Sequence, residues 1–174
     1  MTVLDIGGTQ AFWTGTDLDV TLLNIDQRTS QLAPNLRYVR GDATDIPFPD
    51  RSFDVAFSNS TIEHLYTRDN QRKAAREAMR VGKRLWIQTP NRWFPVEPHY
   101  LTPFIHWLPT SLRRLLVRNF TIWGLVARPS REYARQIVDE IRLLSAKDLR
   151  DLFPGCQIHR ERFLGLTKSL IVVR

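Results

Sequence analysis

The chain has 174 residues, 43% of them hydrophobic, enough to bury one core; its single cysteine, Cys156, excludes an internal disulfide framework. Lys and Arg outnumber Asp and Glu by 25 to 18, and the formal charge of +7 favours anionic partners. The presumed ligand loops near the N-terminus are nevertheless rich in Asp and the bases gather later, which argues against a chain built only to wrap a phosphate backbone.

A single domain over 1–174 is expected at this size. Asp5 interrupts the N-terminal apolar stretch, and no apolar run approaches the roughly 20 residues that span a bilayer. Neither a secretory leader nor a membrane span is therefore expected, and the cytoplasm is the expected compartment.

The first predicted strand, Val3–Ile6, runs into Asp5-Ile6-Gly7-Gly8. A second, Val20–Ile25, ends at Asp26, 18 residues past Gly8. A buried strand closing on a carboxylate and glycines, then a second closing on an acid, is how α/β folds hold an adenosyl group. The G-x-G-x-x-G pattern itself is absent. Further strands are expected at Arg37–Arg40, Phe53–Ser58 and Arg84–Thr89, several nearly continuous in apolar residues, as parallel strands covered on both faces are. The crossovers Gly8–Asp19 and Gln27–Asn35 are lean, the second containing Pro34. Between the last two strands, Ala74, Ala75, Ala78 and Met79 fall at helical spacing and predict a helix over Arg68–Val81, stopped by Gly82.

The segment 92–128 is the compositional outlier, with seven of the 18 aromatic residues and four of the ten prolines. It is expected to form a lid or acceptor pocket. Within it Leu112, Leu115, Leu116, Phe120 and Trp123 share one predicted helical face flanked by Arg113, Arg114 and Arg118. Such a basic, tryptophan-bearing helix packs on the domain or lies on an anionic membrane surface, and 111–125 is the expected place of any peripheral membrane contact. Ser145-Ala146-Lys147-Asp148 reads as a capping motif opening a helix through Phe153. Gln157–Phe163 and Ser169–Val173, joined across Gly165–Lys168, predict a terminal antiparallel hairpin. The fold class is thus α/β, a Rossmann-like, doubly wound, mostly parallel sheet with a C-terminal hairpin and an aromatic, proline-rich insert.

Four motifs in order carry a family resemblance: Val3-Leu4-Asp5-Ile6-Gly7-Gly8, Leu23-Asn24-Ile25-Asp26, Gly41-Asp42-Ala43, and Ile46-Pro47-Phe48-Pro49-Asp50-Arg51-Ser52-Phe53-Asp54-Val55. The chain resembles the class I S-adenosylmethionine-dependent methyltransferases, nearest the group that methylates small molecules, quinone precursors and lipids. The resemblance reaches Thr89-Pro90-Asn91 and the terminal hairpin; family members usually carry N-terminal helices ahead of the first strand, and the expectation here is either a truncated start or an open site. It implies S-adenosylmethionine as cofactor, with Asp5, Gly7, Gly8 and Thr9 at its amino-acid end, Asp26 on the ribose, Asp42 and Ala43 at the adenine, and Asn59 beside it. Thr9 and Ala11 depart from the family's glycine pattern. Independently of the resemblance, Asp42 could simply cap a turn.

The resemblance extends to Ser58-Asn59-Ser60-Thr61-Ile62-Glu63-His64, where related ubiquinone-pathway enzymes carry two glutamates and a histidine implicated in holding a divalent metal. Glu63 and His64 match the last two, but Ser60 replaces the first glutamate, so no metal is expected. His64 is instead a candidate general base, as is His99 in Glu97-Pro98-His99-Tyr100. The expected function is methyl transfer to a small, apolar or lipid-linked acceptor, with no nucleic-acid partner. Two other readings stay open: a non-catalytic methyltransferase-like binding or scaffold protein, and an RNA methyltransferase drawn by the positive charge.

Overall fold

The computed structural model describes residues 1–26 and 31–174. Seven strands form one sheet in the order β3-β2-β1-β4-β5-β9-β8. They are β1 (Thr2–Ile6), β2 (Asp19–Asn24), β3 (Leu36–Arg40), β4 (Phe53–Asn59), β5 (Gly82–Pro90), β8 (Gln157–Phe163) and β9 (Leu166–Val173). The first five pair in parallel, β9 is antiparallel to β5, and β8 is antiparallel to β9. This is the expected doubly wound sheet with its terminal hairpin. The hairpin turn is tighter than the sequence reading had it. Leu164 and Gly165 both take positive φ, 49° and 81°, the backbone of a two-residue turn, so β9 begins at Leu166 instead of Ser169.

Helix α1 (Arg68–Val81) forms as its apolar spacing predicts. Thr67 caps it by accepting the Asn70 amide at 3.1 Å, Asp69 sits in the first turn, and Ala74, Ala75, Ala78 and Val81 are buried against the sheet. Gly82 ends the helix and begins β5; a Cβ there would stand 2.7 Å from the Ala56 Cβ. Helix α5 (Ala146–Leu152) opens with the expected capping box between Ser145 and Asp148. Together α1 and α5 seal one sheet face over a core that includes Leu4, Ile6, Leu23, Ala56, Leu85, Ile87, Leu149, Phe153 and Val172.

The opposite face is covered sparingly. Between β1 and β2 the backbone makes a single 3-10 turn, Gln10–Trp13, in keeping with the lean crossover in the sequence. Its Trp13 is buried among Val3, Val20, Leu22, Leu36 and Phe57. The Gln27–Asn35 connection lies in part outside the described residues. The β3–β4 connection contains no helix, and Arg80 of α1 holds it in place. Its guanidinium donates to the Phe48 carbonyl at 2.7 Å, the Ile46 carbonyl at 2.9 Å, Asp50 at 2.9 Å and both Glu77 oxygens, while Glu77 accepts the Ile46 amide at 2.8 Å.

The insert builds a small core of its own. After β6 (Val96–Glu97) and β7 (Thr102–Pro103) come α2 (Thr110–Phe120), α3 (Ile122–Ala127) and α4 (Arg131–Glu140). Tyr100, Ile105, Val117, Ala134, Val138 and Ile141 are buried together. The single helical face expected from Leu112 to Trp123 is therefore corrected. Thr121 ends α2 and caps α3, donating to the Val117 carbonyl and accepting the Gly124 amide at 2.9 Å. Within α2 the buried face centres on Val117, so Leu112, Leu115 and Phe120 point outward while Leu116 packs on the small core, and the break lets Trp123 of α3 pack there too. The sequence reading also missed α4, although Ser130 as cap and Ala134, Ile137, Val138 and Ile141 at helical spacing carry its signature.

Replacing Arg80 with Leu leaves two loop carbonyls and the Glu77 carboxylate without their donor. The expected loss is about 1–3 kcal/mol in urea unfolding, with faster amide exchange at Ile46 and Phe48. Unchanged exchange in that loop would show that Arg80 does not hold it.

Candidate functional site

The carboxyl ends of β1, β2, β3 and β4 meet at one rim, because Ile6 pairs with Leu23 and Asn24 with Arg40 while the Gly7 and Gly41 amides donate to the Leu23 and Asn24 carbonyls at 2.8 and 3.0 Å. In an open α/β sheet this rim, where the strand order reverses, is where ligands bind. Asp5, Gly7, Gly8, Thr9, Asp26, Asp42, Ala43 and Asn59 all fall on it or within a few residues of a strand end.

Asp5 is buried, with only 1% of its surface exposed. One carboxylate oxygen accepts the Trp13 indole N–H at 2.5 Å, and the other, Oδ1, has no partner among the described residues. Burial raises its pKa to about 6, against the lowering effect of the Trp13 bond. The two glycines are steric necessities around it. Gly7 has φ +78°, and a Cβ there would lie 2.4 Å from Thr61; a Cβ on Gly8 would lie 1.7 Å from Asp5 Oδ2. Thr9 is exposed and Ala11 begins no regular helix.

The other acids differ in how committed they are. Asp26 is exposed two residues past β2, and its carbonyl accepts the Tyr38 hydroxyl. Asp42 caps its own turn, one oxygen accepting the Thr44 amide at 2.8 Å and the Thr44 hydroxyl at 2.9 Å. Ala43 packs half-buried on the core. Asn59 ends β4 and, with Ser60, lines a cavity of about 780 Å³ on the sparsely covered sheet face, among Phe12, Trp86, Phe94 and Leu101. The rings of Phe57 and Trp86 stack at 4.7 Å beneath this side of the sheet.

Past β4, a second set converges. His64 Nε2 lies 3.1 Å from His99 Nε2, with the rings edge to face. Each outer nitrogen is held by a carboxylate: His64 Nδ1 by Glu140 at 2.7 Å, His99 Nδ1 by Glu97 at 2.6 Å. Glu97 is fully buried and also accepts the Tyr100 amide at 2.7 Å. Glu63, likewise fully buried, accepts the Thr89 hydroxyl at 2.9 Å with one oxygen and leaves Oε1 unpartnered. Burial raises the Glu63 pKa, more than the bond from Thr89 and the neighbouring histidines lower it. For His99 burial works against the cation, but the Glu97 hydrogen bond and the charges of Glu97, Glu63 and Glu140 outweigh it and raise the pKa.

The structure thus brings the two expected histidines together, which their 35-residue separation did not disclose. It also supplies Glu97 and Glu140, to which the sequence reading assigned no role, beside Glu63, which that reading had paired with His64. The signal for Glu97 was its place two residues before His99; for Glu140 it was the unrecognised α4. Thr89 and Asn91 of the Thr89-Pro90-Asn91 motif prove to be positioning residues. Thr89 orients Glu63, and Asn91 fastens the start of the insert to the beginning of β9 through the Thr167 carbonyl at 2.8 Å.

Residues 3–85 match the family described as methyltransferase domain. The fatty-acid O-methyltransferase of Mycolicibacterium smegmatis is 45% identical over 58 residues, 33% of this chain and 20% of that protein. The phthiotriol/phenolphthiotriol dimycocerosates methyltransferase of Mycobacterium leprae is 43% identical over 56 residues, 32% of this chain and 20% of that protein. The ubiquinone/menaquinone biosynthesis C-methyltransferase of Bartonella bacilliformis is 28% identical over 172 residues, 92% of this chain and 58% of that protein. The chain therefore aligns with 20 to 58% of the length of these curated relatives. Among solved structures, a SAM-dependent methyltransferase from Methanosarcina mazei superposes with a TM-score of 0.57 at 14% identity, over 99% of this chain and 90% of that one. PigF, solved with SAH, does so with a TM-score of 0.56 at 14% identity, over 99% of this chain and 55% of that one. Residues 3–85, somewhat under half of the chain, thus carry the sequence pattern of a methyltransferase domain, and the whole chain shares its fold with solved SAM-dependent methyltransferases.

Proposed function

We propose that the chain binds S-adenosylmethionine at the β1–β4 rim and directs methyl transfer to a small apolar or lipid-linked acceptor. The observation that carries the reading is the Asp5–Gly7–Gly8 loop. The backbone is kept bare of side chains over a buried carboxylate whose second oxygen lacks a donor, an arrangement that suits a close-lying ligand bearing N–H groups and positive charge. Asp5, Gly7, Gly8 and Thr9 would hold its amino-acid end, Asp26 the ribose hydroxyls, and Asp42 with Ala43 the adenine, Asp42 using the oxygen that does not cap its turn. Asn59 stands at the junction with the acceptor side. When bound, S-adenosylmethionine supplies an electrophilic methyl group on its sulfonium. The chain's part is alignment, exclusion of water and, where the acceptor must lose a proton, acid–base chemistry at His64 and His99.

The acceptor class follows from the cavity lined by Phe12, Trp86, Phe94, Val96, Leu101 and Ile171, which offers an apolar host beside Asn59. Segment 92–128 acts as its lid. The named relatives that act on a fatty acid and on dimycocerosates support the same class. The outer side of α2 and α3 fits an anionic lipid surface. Leu115, Phe120, Ile122, Leu125 and Val126 are more than half exposed on it, and Arg114, Arg118 and Arg128 flank them. No helix among the described residues is long and apolar enough to cross a membrane, so the contact would be peripheral.

Calorimetric titration with S-adenosylhomocysteine is expected to give micromolar binding that Asp26→Ala weakens roughly 10- to 100-fold, the worth of charge-assisted bonds to two hydroxyls. Absence of binding to the folded native chain would favour the non-catalytic scaffold reading instead.

Asp5 gives a pH signature. Its folded pKa of about 6 lies above the unfolded value, so the folded state retains a proton between about pH 4 and 6 that the unfolded state has lost. Its contribution to stability therefore falls as the pH rises through that window. Asp5→Asn keeps an acceptor for Trp13, and its stability relative to the native chain should climb by about 1.4 kcal/mol per pH unit there and level off above pH 6. A stability difference independent of pH would refute the buried acid.

Sedimentation with phosphatidylglycerol vesicles should capture the native chain and fail for Phe120→Glu, whose substitution lies on the solvent side. Equal capture of both would remove the proposed membrane face.

A further inference from the structure

We propose that Glu63, His64 and His99 form a binding site for one divalent transition-metal ion of the zinc type, set between the β4 rim and the insert. One donor atom from each lies within 4.8 Å of the others. The site rests on this donor geometry and not on the methyl-transfer reading.

The argument turns on the direction of the hydrogen bonds. A carboxylate can only accept, so Glu140 and Glu97 each fix a proton on the Nδ1 of its histidine. In the neutral rings both Nε2 atoms then carry lone pairs, and the fold points them at each other across 3.1 Å. Two lone pairs do not attract; a shared positive centre, a proton or a metal ion, relieves the contact, and the unpartnered Glu63 oxygen beside it favours the metal ion. Ligands about 2.05 Å from a tetrahedral zinc ion stand about 3.3 Å apart, close to the separation already present.

Beside the gap is Glu63, fully buried, its Oε2 oriented by Thr89 and its Oε1 without a partner among the described residues. A buried carboxylate oxygen left unmatched costs free energy unless something outside the chain pairs with it. Two nitrogens and one oxygen make a three-ligand set with room for an exogenous fourth; with the ion bound both Nε2 lone pairs are committed to it, so the acid–base role proposed for these histidines belongs to the metal-free protein. The outer groups also have the character of a metal site, since each histidine donates its far N–H to a carboxylate, which fixes the tautomer and strengthens the ligand. Glu63, Glu97 and Glu140 place three acids around two imidazoles, and a dication offsets that excess. The sequence reading expected no metal because Ser60 replaces a glutamate. It could not see that the insert folds His99 back onto the same spot.

The test uses the full chain after treatment with a chelator. Zinc titration by calorimetry should show one equivalent bound at micromolar or tighter affinity, and cobalt substitution should give visible absorption of a low-coordinate nitrogen–oxygen site. His99→Ala should weaken zinc at least 100-fold, and Glu97→Gln and Glu140→Gln about 10- to 100-fold, with circular dichroism unchanged. Glu63→Gln, which conserves volume, covers the case in which a truncated buried side chain unfolds the protein. His106→Ala, outside the set, should bind as the native chain does. Failure of the native chain to bind zinc up to about 100 µM, or equal affinity in His99→Ala, overturns the site. Titration with S-adenosylhomocysteine in the same samples reports separately on the methyltransferase reading.

Discussion

The hydrogen bond from the Trp13 indole to the Asp5 carboxylate holds the ligand rim together. In a doubly wound sheet the β1–β2 crossover normally supplies a helix to cover one face. Here a single turn replaces it, and Trp13 must serve as both the cover for Val3, Val20, Leu22 and Phe57 and the donor that makes burial of Asp5 tolerable. The geometry of the loop follows. With Asp5 folded under the backbone, nothing larger than hydrogen fits at Gly8, and Thr61 from the β4 loop closes on Gly7. Ser58 then ties β4 to the end of β1 through the Ile6 carbonyl at 2.9 Å. The polar atoms under the rim are matched almost completely; Asp5 Oδ1 is the exception, buried and without a partner among the described residues.

The same economy explains the distribution of strength across the molecule. Strands β1, β4, β5 and β9 carry the dense core under α1 and α5, where Leu4, Leu85, Leu149 and Val172 are wholly or nearly wholly buried. The β3–β4 connection lacks a helix, and hydrogen bonds from one arginine do what packing would otherwise do. Charge–carbonyl bonds are directional and release one at a time, whereas a packed helix resists as a block. The β3–β4 side of the rim is therefore expected to open more readily than the Asp5 side, even though both lie at strand ends of the same sheet.

Much of this was legible from the sequence, for physical reasons that differ by element. Helix α1 announced itself because Ala74, Ala75 and Ala78 repeat at the period of a helix and Thr67 and Gly82 punctuate it. The five parallel strands were readable as apolar runs, with ends misplaced by a residue or two. The insert resisted because its pattern mixes two interfaces. Leu112, Leu115, Leu116, Phe120 and Trp123 look like one stripe until Thr121 breaks the helix, a decision made by one hydroxyl bonding backward and forward. Helix α4 was overlooked among charged residues, and with it Glu140. The rim acids could be placed from strand order alone. The histidine cluster could not, because His64, His99 and Glu140 come from three elements whose relative positions depend on tertiary packing, and local periodicity carries no record of that.

The two constellations are physically distinct answers to the problem of keeping charge near an apolar sheet. At the rim, Asp5 is buried singly, and its environment pushes it toward the neutral form. Past β4, Glu63, Glu97 and Glu140 are buried or half-buried together, and the fold surrounds them with imidazoles instead of leaving each to neutralise alone. A lone buried acid calls for a ligand with positive charge and hydrogen-bond donors; a ring of acids around facing imidazoles calls for a compact cation. The Thr61–Ile62–Glu63–His64 segment joins the two, packing Thr61 on Gly7 at one end and presenting His64 to His99 at the other. Occupancy of either centre thus bears on the same short stretch of backbone.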